Sequence, residues 1–193
     1  GPVAGTHELV RRLADQGVAL KMSVNVSGRL LGDPEFVAGA LELAERARGE
    51  LCLEITETAV IDNADAAIAA IERFAEAGVE MSIDDYGSGL SSLAYLKRLP
   101  ASELKIDKAF VMKMDAASRD ALLVKSTIDL AHALGMRVTA EGVETDAALA
   151  LLTGMGCDMA QGYLIARPMN VEALGEMLAG TGAATPKPRR RRA

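Results

Sequence analysis

The residues best suited to chemistry stand together in the segment Ile83-Asp84-Asp85-Tyr86-Gly87-Ser88-Gly89-Leu90-Ser91-Ser92. Two adjacent carboxylates end a short apolar run, and a loop with two glycines and three serines follows them. Acids at the end of a strand, followed by a hydroxyl-rich loop, suit a divalent cation and an anionic substrate. A surface turn is the alternative interpretation, because Asp, Gly and Ser are also the commonest turn residues.

Polar side chains also stand at the ends of the other predicted strands, at Asn25, Glu54, Lys105, Glu141 and Gln161. Asn25, Glu54 and Glu141, together with the two aspartates, offer oxygen ligands without Cys or His, a set that selects Mg²⁺ or Mn²⁺ over zinc. The adjacent aspartates could bridge two ions, an arrangement that cleaves phosphoesters. Lys105 could orient an attacking water at such a site. An ion pair between Lys105 and Asp107, or another nearby acid, is the structural alternative.

The elements that must position these residues alternate between strand and helix. Strands are predicted over residues 18–26, 51–55, 79–83, 104–107, 136–140 and 158–164. Helices are predicted over residues 6–16, 33–48, 63–77, 91–96, 116–134, 145–155 and 170–179. This alternation indicates an α/β fold with a parallel sheet. An open doubly wound sheet and a closed barrel are both compatible with it, but only in a barrel do all strand ends converge on one site. We therefore expect a TIM-like (β/α) barrel.

The barrel prediction requires more strands than the chain supplies. Six strand–helix units are present, whereas a (β/α) barrel has eight strands and roughly 250 residues. We expect the first two strands to precede Gly1, and we expect residues 1–180 to form one partial barrel domain. Residues 181–193 are rich in Gly, Pro and Arg, which predicts a disordered tail.

Charge and composition argue against several classes of function. The last eight residues hold five of the 21 basic residues and none of the 27 acidic ones, so the rest of the chain has a formal net charge of −11. This balance disfavours bulk nucleic acid as a partner. The four arginines of the tail could make a weak nucleic-acid or membrane contact, although a solvated terminus is the simpler interpretation. No apolar run approaches 18 residues, so no membrane segment is predicted. Two isolated cysteines indicate a reducing compartment and hence a cytoplasmic protein.

Six motifs together resemble the EAL-domain phosphodiesterases, a family that hydrolyses cyclic di-GMP with Mg²⁺ or Mn²⁺. The match covers about residues 13–178, and its motifs are Asn25-Val26-Ser27, Glu54-Ile55-Thr56-Glu57-Thr58, Asp84-Asp85-Tyr86-Gly87-Ser88-Gly89 with Ser91-Ser92, Leu104-Lys105-Ile106-Asp107, Ala140-Glu141-Gly142-Val143-Glu144-Thr145, and Gln161-Gly162-Tyr163 followed by Arg167-Pro168. The resemblance implies a barrel of the EAL type, a two-metal site and cyclic di-GMP as substrate.

The resemblance also implies a role for each matching residue. The metal ligands, with Asp84 shared between two ions, would be Asn25, Glu54, Asp84, Asp85 and Glu141. The catalytic groups would be Lys105, Glu141 and Asp85. Among them, Lys105 would orient the attacking water. The substrate contacts would be Arg29, Gln161, Arg167 and Pro168. The loop after Asp85 would be anchored by Glu57, with support from Glu144.

The Glu-Ala-Leu motif that names the family is absent from the residues before Asn25, where the family carries it; the tripeptide Glu172-Ala173-Leu174 stands instead in the predicted helix over 170–179. In the family its Glu is a metal ligand on a strand before the one that bears Asn25, and only 24 residues precede Asn25. We expect the motif to be cut off together with the two missing strands. Smaller departures are Tyr86, where the family usually has Phe, and Leu90, where it often has an aromatic residue. Both keep the bulk of the side chain.

Three interpretations of function follow. The first is a phosphodiesterase that converts cyclic di-GMP to linear pGpG, forms a homodimer in its parent protein and has sensor or cyclase domains upstream. The second is a module that only binds cyclic di-GMP or transmits a signal, because one metal ligand is missing. The third is association through an open sheet edge, since unpaired edges invite pairing with another chain. A clean monomer in size-exclusion chromatography would contradict the third interpretation.

The missing ligand predicts weak or no hydrolysis of cyclic di-GMP by the 193-residue chain, because the first metal would lack one of its acids. The measurement is a turnover assay with Mg²⁺ or Mn²⁺, with a chelated sample as the control. Robust metal-dependent cleavage would contradict this expectation.

Overall fold

Six β-strands form one sheet and follow each other in chain order. The structure, a computed structural model, describes residues 20–47, 51–58, 64–87, 96–116 and 118–180. The strands are β1 Met22–Asn25, β2 Leu51–Thr56, β3 Glu80–Tyr86, β4 Glu103–Ile106, β5 Arg137–Ala140 and β6 Met159–Ala160. Neighbours in the sheet are neighbours in the chain, and strands β2 to β6 pair parallel. The predicted parallel α/β sheet with six strand–helix units is confirmed.

Helices connect the strands, and several of them begin at residues whose side chains cap the first turn. They are α1 Gly28–Leu31, α2 Pro34–Ala47, α3 Ala64–Glu76, α4 Lys108–Val111, α5 Arg119–Ala133, α6 Asp146–Met155 and α7 Val171–Gly180. The Ser118 hydroxyl accepts an N–H at the start of α5, and the Thr145 hydroxyl does the same for α6. Each cap satisfies a backbone donor that has no partner inside the helix. The four-residue helices α1 and α4 were not predicted, because one turn is too short to show a helical period.

An apolar core lies between the sheet and the helices that cover it. Strand residues such as Ile55 and Leu104 are at most 1% exposed, as are Phe74 on α3 and Ile128 on α5. The first three residues of β2 are all buried, which agrees with a strand covered on both faces. The packed strands form a rigid scaffold that fixes where their ends point.

The last strand is shorter than its sequence predicts. The apolar segment 158–164 predicts one continuous strand, but only Met159–Ala160 pairs with β5. Beyond it the chain turns, and the Gly162 carbonyl accepts two N–H groups of the turn at 3.0 and 3.1 Å. A Cβ atom at Gly162 would lie 2.2 Å from the Val143 carbonyl oxygen, so only glycine fits this close approach. The turn ends the strand despite its apolar composition.

Several predictions concern residues outside the described ranges. These are the helix over 6–16, nearly all of the helix over 91–96, and the tail over 181–193. The chain divides into two compact units, Ser23–Arg167 and residues 1–22 with 168–193. In the second unit, α7 begins where Asn170 Oδ1 accepts the Ala173 N–H at 2.9 Å. None of the helices in the described part of the chain could span a bilayer.

A histidine–aspartate pair fastens the start of β6 to its neighbours. His132 Nε2, on the last turn of α5, lies 2.7 Å from Asp158 Oδ2, and the same oxygen accepts the Val138 N–H at 2.8 Å. Burial alone would raise the pKa of Asp158, but the hydrogen bonds from His132 and Val138 prevail and lower that pKa below its ordinary value. The charged form of Asp158 is therefore favoured in the folded state.

We expect Asp158→Asn to lower Tm at neutral pH, with a difference from wild type that shrinks as the pH falls. A carboxyl group with a lowered folded-state pKa contributes stability above its unfolded-state pKa, and this contribution is lost as the pH drops through the folded-state pKa. Thermal melts of both proteins from pH 7 to strongly acidic pH test this. Glu42→Gln, at an exposed position on α2, is the control. A difference from wild type that grows on acidification would contradict the prediction.

Candidate metal centre

A buried lysine ammonium lies among carboxylates from three strands. Lys105 Nζ, on β4, is 2.6 Å from Glu141 Oε1, 3.0 Å from Asp84 Oδ1 and 3.1 Å from Glu54 Oε2. Lys105 is 5% exposed, so these contacts replace water. Its three N–H donors match three acids, from β2, from β3 and from the residue after β5. Residues far apart in the sequence thus meet at the carboxyl ends of adjacent strands.

The alternative pairing of Lys105 with Asp107 is not formed in the described structure. Asp107 Oδ1 instead accepts the Ala109 N–H at 2.6 Å and caps α4. Lys105 still forms the structural ion pairs that the alternative interpretation required, but with the acids expected to hold metal. The lysine is therefore part of the predicted site.

A bulge in β3 brings two adjacent aspartates to the same side of the sheet. Successive strand residues normally point to opposite faces. Here the register between β3 and β4 shifts between Ile83 and Tyr86, and Asp85 adopts a positive φ of 54°. A bulge of this kind can re-aim a side chain. As a result, carboxylate oxygens of Asp84, Asp85 and Glu141 lie within 4.8 Å of one another. We call Glu54, Asp84, Asp85 and Glu141 the acid cluster.

The acid cluster has an excess of negative charge, because four carboxylates face one ammonium. Burial, followed by the charge of Asp84, raises the pKa of Asp85. Burial also raises the pKa of Glu141, and the neighbouring acids add to this effect against the opposing influence of Lys105. Burial alone would lower the pKa of Lys105, but its hydrogen bonds to Glu141 and Asp84 raise it above the ordinary value. Lys105 therefore stays charged, and the unbalanced acids favour a further cation.

The donor chemistry of the acid cluster fits a hard divalent cation. Lys105 engages one oxygen each of Glu54, Asp84 and Glu141, and each of these carboxylates has a second oxygen. Mg²⁺ and similar ions prefer such oxygen ligands. An ion could therefore bind the acids without displacing the lysine.

Two predicted site residues flank the acid cluster on opposite sides. The Val26 N–H donates to the Glu54 carbonyl at 2.8 Å, which places exposed Asn25 at the end of the strand beside that acid. On the other side, backbone hydrogen bonds of 2.8 and 3.0 Å join Gln161 to segment 140–143. Their backbones are in place, whereas their side chains are exposed to solvent.

Glu57 contacts the turn that follows the aspartates, as its predicted anchoring role requires. Glu57 is 8% exposed, and its Oε2 accepts the Gly87 N–H at 3.2 Å. Its other oxygen is buried without a hydrogen-bond partner among the described residues. Gly87 has a φ of 97°, and a Cβ atom there would lie 2.9 Å from the Phe110 ring. The turn is therefore tightly constrained at Gly87.

Four further site residues are predicted: Arg29, Glu144, Arg167 and Pro168. Arg29 is exposed on α1, and Glu144 is exposed in a shallow groove beside Met112 and Met114. Arg167 is exposed and stacks on Tyr163. The fourth, Pro168, belongs to the other compact unit. Their predicted roles as substrate contacts and loop anchor remain predictions.

The sequence interpretation missed a second polar layer below the lysine. Thr139 Oγ1 donates to Glu103 Oε1 at 2.6 Å, linking β5 to β4. Glu103 precedes Lys105 by two residues, and Thr139 precedes Glu141 by two. Residues two apart in a strand lie on the same face. The Glu103–Thr139 pair could therefore have been predicted from the positions two residues before Lys105 and Glu141.

A family model described as the EAL domain matches residues 5–168 of the chain. The chain is 44% identical over 162 residues to the cyclic di-GMP phosphodiesterase NbdA of Pseudomonas aeruginosa. The alignment covers 82% of this chain and 21% of NbdA. The chain is also 42% identical over 161 residues to the bifunctional diguanylate cyclase/cyclic di-GMP phosphodiesterase MucR of the same species. That alignment covers 83% of this chain and 23% of MucR. The chain thus spans less than a quarter of the length of these two relatives.

Solved structures share the fold. The PaMucR phosphodiesterase in complex with c-di-GMP superposes with a TM-score of 0.80 at 38% identity, covering 87% of this chain and 76% of that one. The EAL domain of Mycobacterium smegmatis DcpA has a TM-score of 0.83 at 34% identity, covering 90% and 80%. The prediction of an EAL-type barrel is confirmed.

We expect Lys105→Met to destabilise the metal-free protein by about 3 kcal/mol, because it leaves buried acids without their counter-charge. Added Mg²⁺ should recover part of this loss by supplying positive charge. Urea unfolding in chelator and in Mg²⁺ measures both effects. The control is Lys125→Met, which removes an exposed ion pair with Asp129 and should cost less than about 1 kcal/mol. Equal effects of the two substitutions would contradict the counter-charge role.

Proposed function

The chain belongs to the EAL domain family, and we propose that its acid cluster is the metal-dependent site at which cyclic di-GMP is hydrolysed to linear pGpG. The observation that carries the proposal is the contact of one buried ammonium with three acids from separate strands. A purely structural ion pair needs one acid per lysine. Four acids around one lysine leave negative charge that a pair of divalent cations would balance.

Two Mg²⁺ or Mn²⁺ ions, held by the acid cluster with Asn25, would supply the charge that stabilises the attacking and leaving oxygens of the phosphodiester. The chain's own residues position the reaction. Lys105, the fixed ammonium at the centre of the cluster, orients the attacking water by turning one of its three N–H donors from an acid to that water. Glu141 and Asp85 lie in the same cluster and are the carboxylates that take up the proton of the water. The water oxygen joins phosphorus, the P–O3′ bond breaks, and O3′ receives the proton that the carboxylate took from the water.

Substrate contacts in the proposal come from the rim of the site. Gln161 lies beside segment 140–143 through its backbone, where an amide could hydrogen-bond a phosphate oxygen. Arg29, Arg167 and Pro168 complete the proposed contacts. The turn at Gly87, held by Glu57 with support from Glu144, would couple the site to a homodimer partner in the parent protein. Sensor or cyclase domains would lie on the same parent chain.

We place the protein in the cytoplasm, where cyclic dinucleotides signal in bacteria. Neither Cys52 nor Cys157 forms a disulfide, which supports a reducing compartment. Burial raises the pKa of Cys157, so this thiol is not activated for redox chemistry.

A catalytically incompetent EAL module that only binds cyclic di-GMP is the second candidate. It is favoured because no Glu-Ala-Leu motif stands before Asn25, where the family carries a metal ligand; the tripeptide Glu172-Ala173-Leu174 lies instead on α7. Binding would then still depend on the acid cluster, whereas pGpG would not form. Binding and product formation therefore separate the two candidates.

We expect the 193-residue chain to bind cyclic di-GMP in Mg²⁺ or Mn²⁺ and to lose binding in a chelator, because the ions offset the excess acid charge before an anionic ligand approaches. Calorimetric titration measures binding, and chromatography after long incubation detects pGpG. Glu141→Gln should weaken binding by about tenfold or more, the loss of one charged ligand contact.

The matched control is Glu72→Gln, at an exposed position on α3, which should behave as wild type. Slow metal-dependent formation of pGpG supports the enzyme, and tight binding without product supports the binding module. Binding that is unaffected by chelation or by Glu141→Gln would contradict both.

A further inference from the structure

The turn that follows β6 presents an exposed arginine stacked on an exposed tyrosine. The guanidinium carbon of Arg167 lies 4.5 Å from the centroid of the Tyr163 ring, and Tyr163 is 53% exposed. A guanidinium at this distance from an aromatic ring makes a cation–π contact. Both residues belong to the compact unit Ser23–Arg167. The sequence interpretation assigned no role to the Tyr163 side chain.

The backbone around Tyr163 is held in one conformation by hydrogen bonds and close packing. The Leu164 N–H donates to the Val143 carbonyl at 3.0 Å, and the Gly162 carbonyl accepts two N–H groups of the turn at 3.0 and 3.1 Å. Gly162 packs so closely on Val143 that a side chain would not fit. Because the backbone on both sides of Tyr163 is fixed, the position from which its ring reaches Arg167 is fixed as well.

The stacked arginine keeps its hydrogen-bond donors available. Arg167 is exposed to solvent, and the aromatic ring over which its guanidinium carbon lies leaves its five N–H groups available. In the part of the chain that the structure describes, Arg167 makes no ion pair with an acid. Arg137, by contrast, is neutralised by Glu80, with Nη2 2.6 Å from Oε2. Arg167 is thus oriented by a neutral ring and can accept a new partner in its own plane.

The stack lies at the same edge of the sheet as the acid cluster. Gln161, two residues before Tyr163, is hydrogen-bonded to segment 140–143, which contains Glu141. If the acid cluster takes a phosphodiester group of a cyclic dinucleotide, the bases extend outward from it. A base, and not the reacting phosphate, then meets the rim where Tyr163 and Arg167 stand.

We propose that Tyr163 is a positioning residue that aligns the Arg167 guanidinium with the O6 and N7 acceptors of a guanine base. Arginine is suited to this edge of guanine because two of its parallel N–H groups match the two acceptors. Adenine replaces the O6 acceptor with an amino donor and is rejected by the same arrangement. The inference rests on the proposed function, and it assigns base selection to one side of the site.

The test compares cyclic di-GMP with its 7-deazaguanine analogue, which lacks the N7 acceptor but keeps the phosphates. Calorimetric titrations in Mg²⁺ use wild type, Tyr163→Phe and Tyr163→Leu. Wild type and Tyr163→Phe should bind the analogue about tenfold less tightly than cyclic di-GMP, the cost of one specific base contact. Tyr163→Leu should bind cyclic di-GMP about as weakly as it binds the analogue. The matched control Ile165→Ala, at another exposed position of the turn, should keep the wild-type preference.

The outcomes separate this inference from the proposed function. If wild type binds neither ligand, the proposed function fails and the inference falls with it. If wild type binds cyclic di-GMP but does not distinguish the analogue, only the inference falls. If Tyr163→Leu weakens both ligands by the same factor, Arg167 does not read the base through Tyr163 and the inference is overturned. Loss of the preference in Tyr163→Leu, with retention in Tyr163→Phe and Ile165→Ala, supports it.

Discussion

The Lys105 ammonium is the fixed point around which the carboxyl ends of the strands are arranged. It lies within 3.1 Å of Glu54, Asp84 and Glu141, and it is nearly excluded from water. Without it, three half-buried acids at the ends of neighbouring strands would repel one another. With it, they stay close but keep an excess of negative charge. The site is thus stable enough to form before a metal binds and still charged enough to attract one.

The backbone around this contact does what the side chains alone could not. Parallel pairing brings the carboxyl ends of β2 to β5 to one edge, so acids separated by many residues converge. The bulge at the end of β3 then adds Asp85 to the same side as Asp84. Its positive φ is a local strain that the surrounding sheet holds in place. Fold and site are therefore linked at the residues on which the proposed chemistry depends.

The rim of the site is fixed by a few polar contacts instead of long strands. Strand β6 has only two residues, yet the Asp158 carboxylate secures its start and the close packing of Gly162 secures the turn after it. Glu57 restrains the turn at Gly87 on the opposite side of the acid cluster. Short segments that are held by hydrogen bonds and close packing can present side chains to a ligand at fixed positions. Metal chemistry at the centre and ligand selection at the rim can thus reside in different elements.

Much of this could be predicted from sequence, because the relevant signals are local. Alternating strand and helix periods, capping residues and acids at strand ends indicated the order of the sheet and most of the site. Other features depend on contacts across the chain. Lys105 meets Glu54 over 51 residues of sequence, and Asp85 joins Asp84 only because the β3–β4 register shifts. The apolar segment 158–164 contains a turn because Gly162 packs on Val143. The sequence by itself determined which residues and elements are available, whereas tertiary packing decided which atoms meet, since only a folded sheet brings distant strand ends within bonding distance.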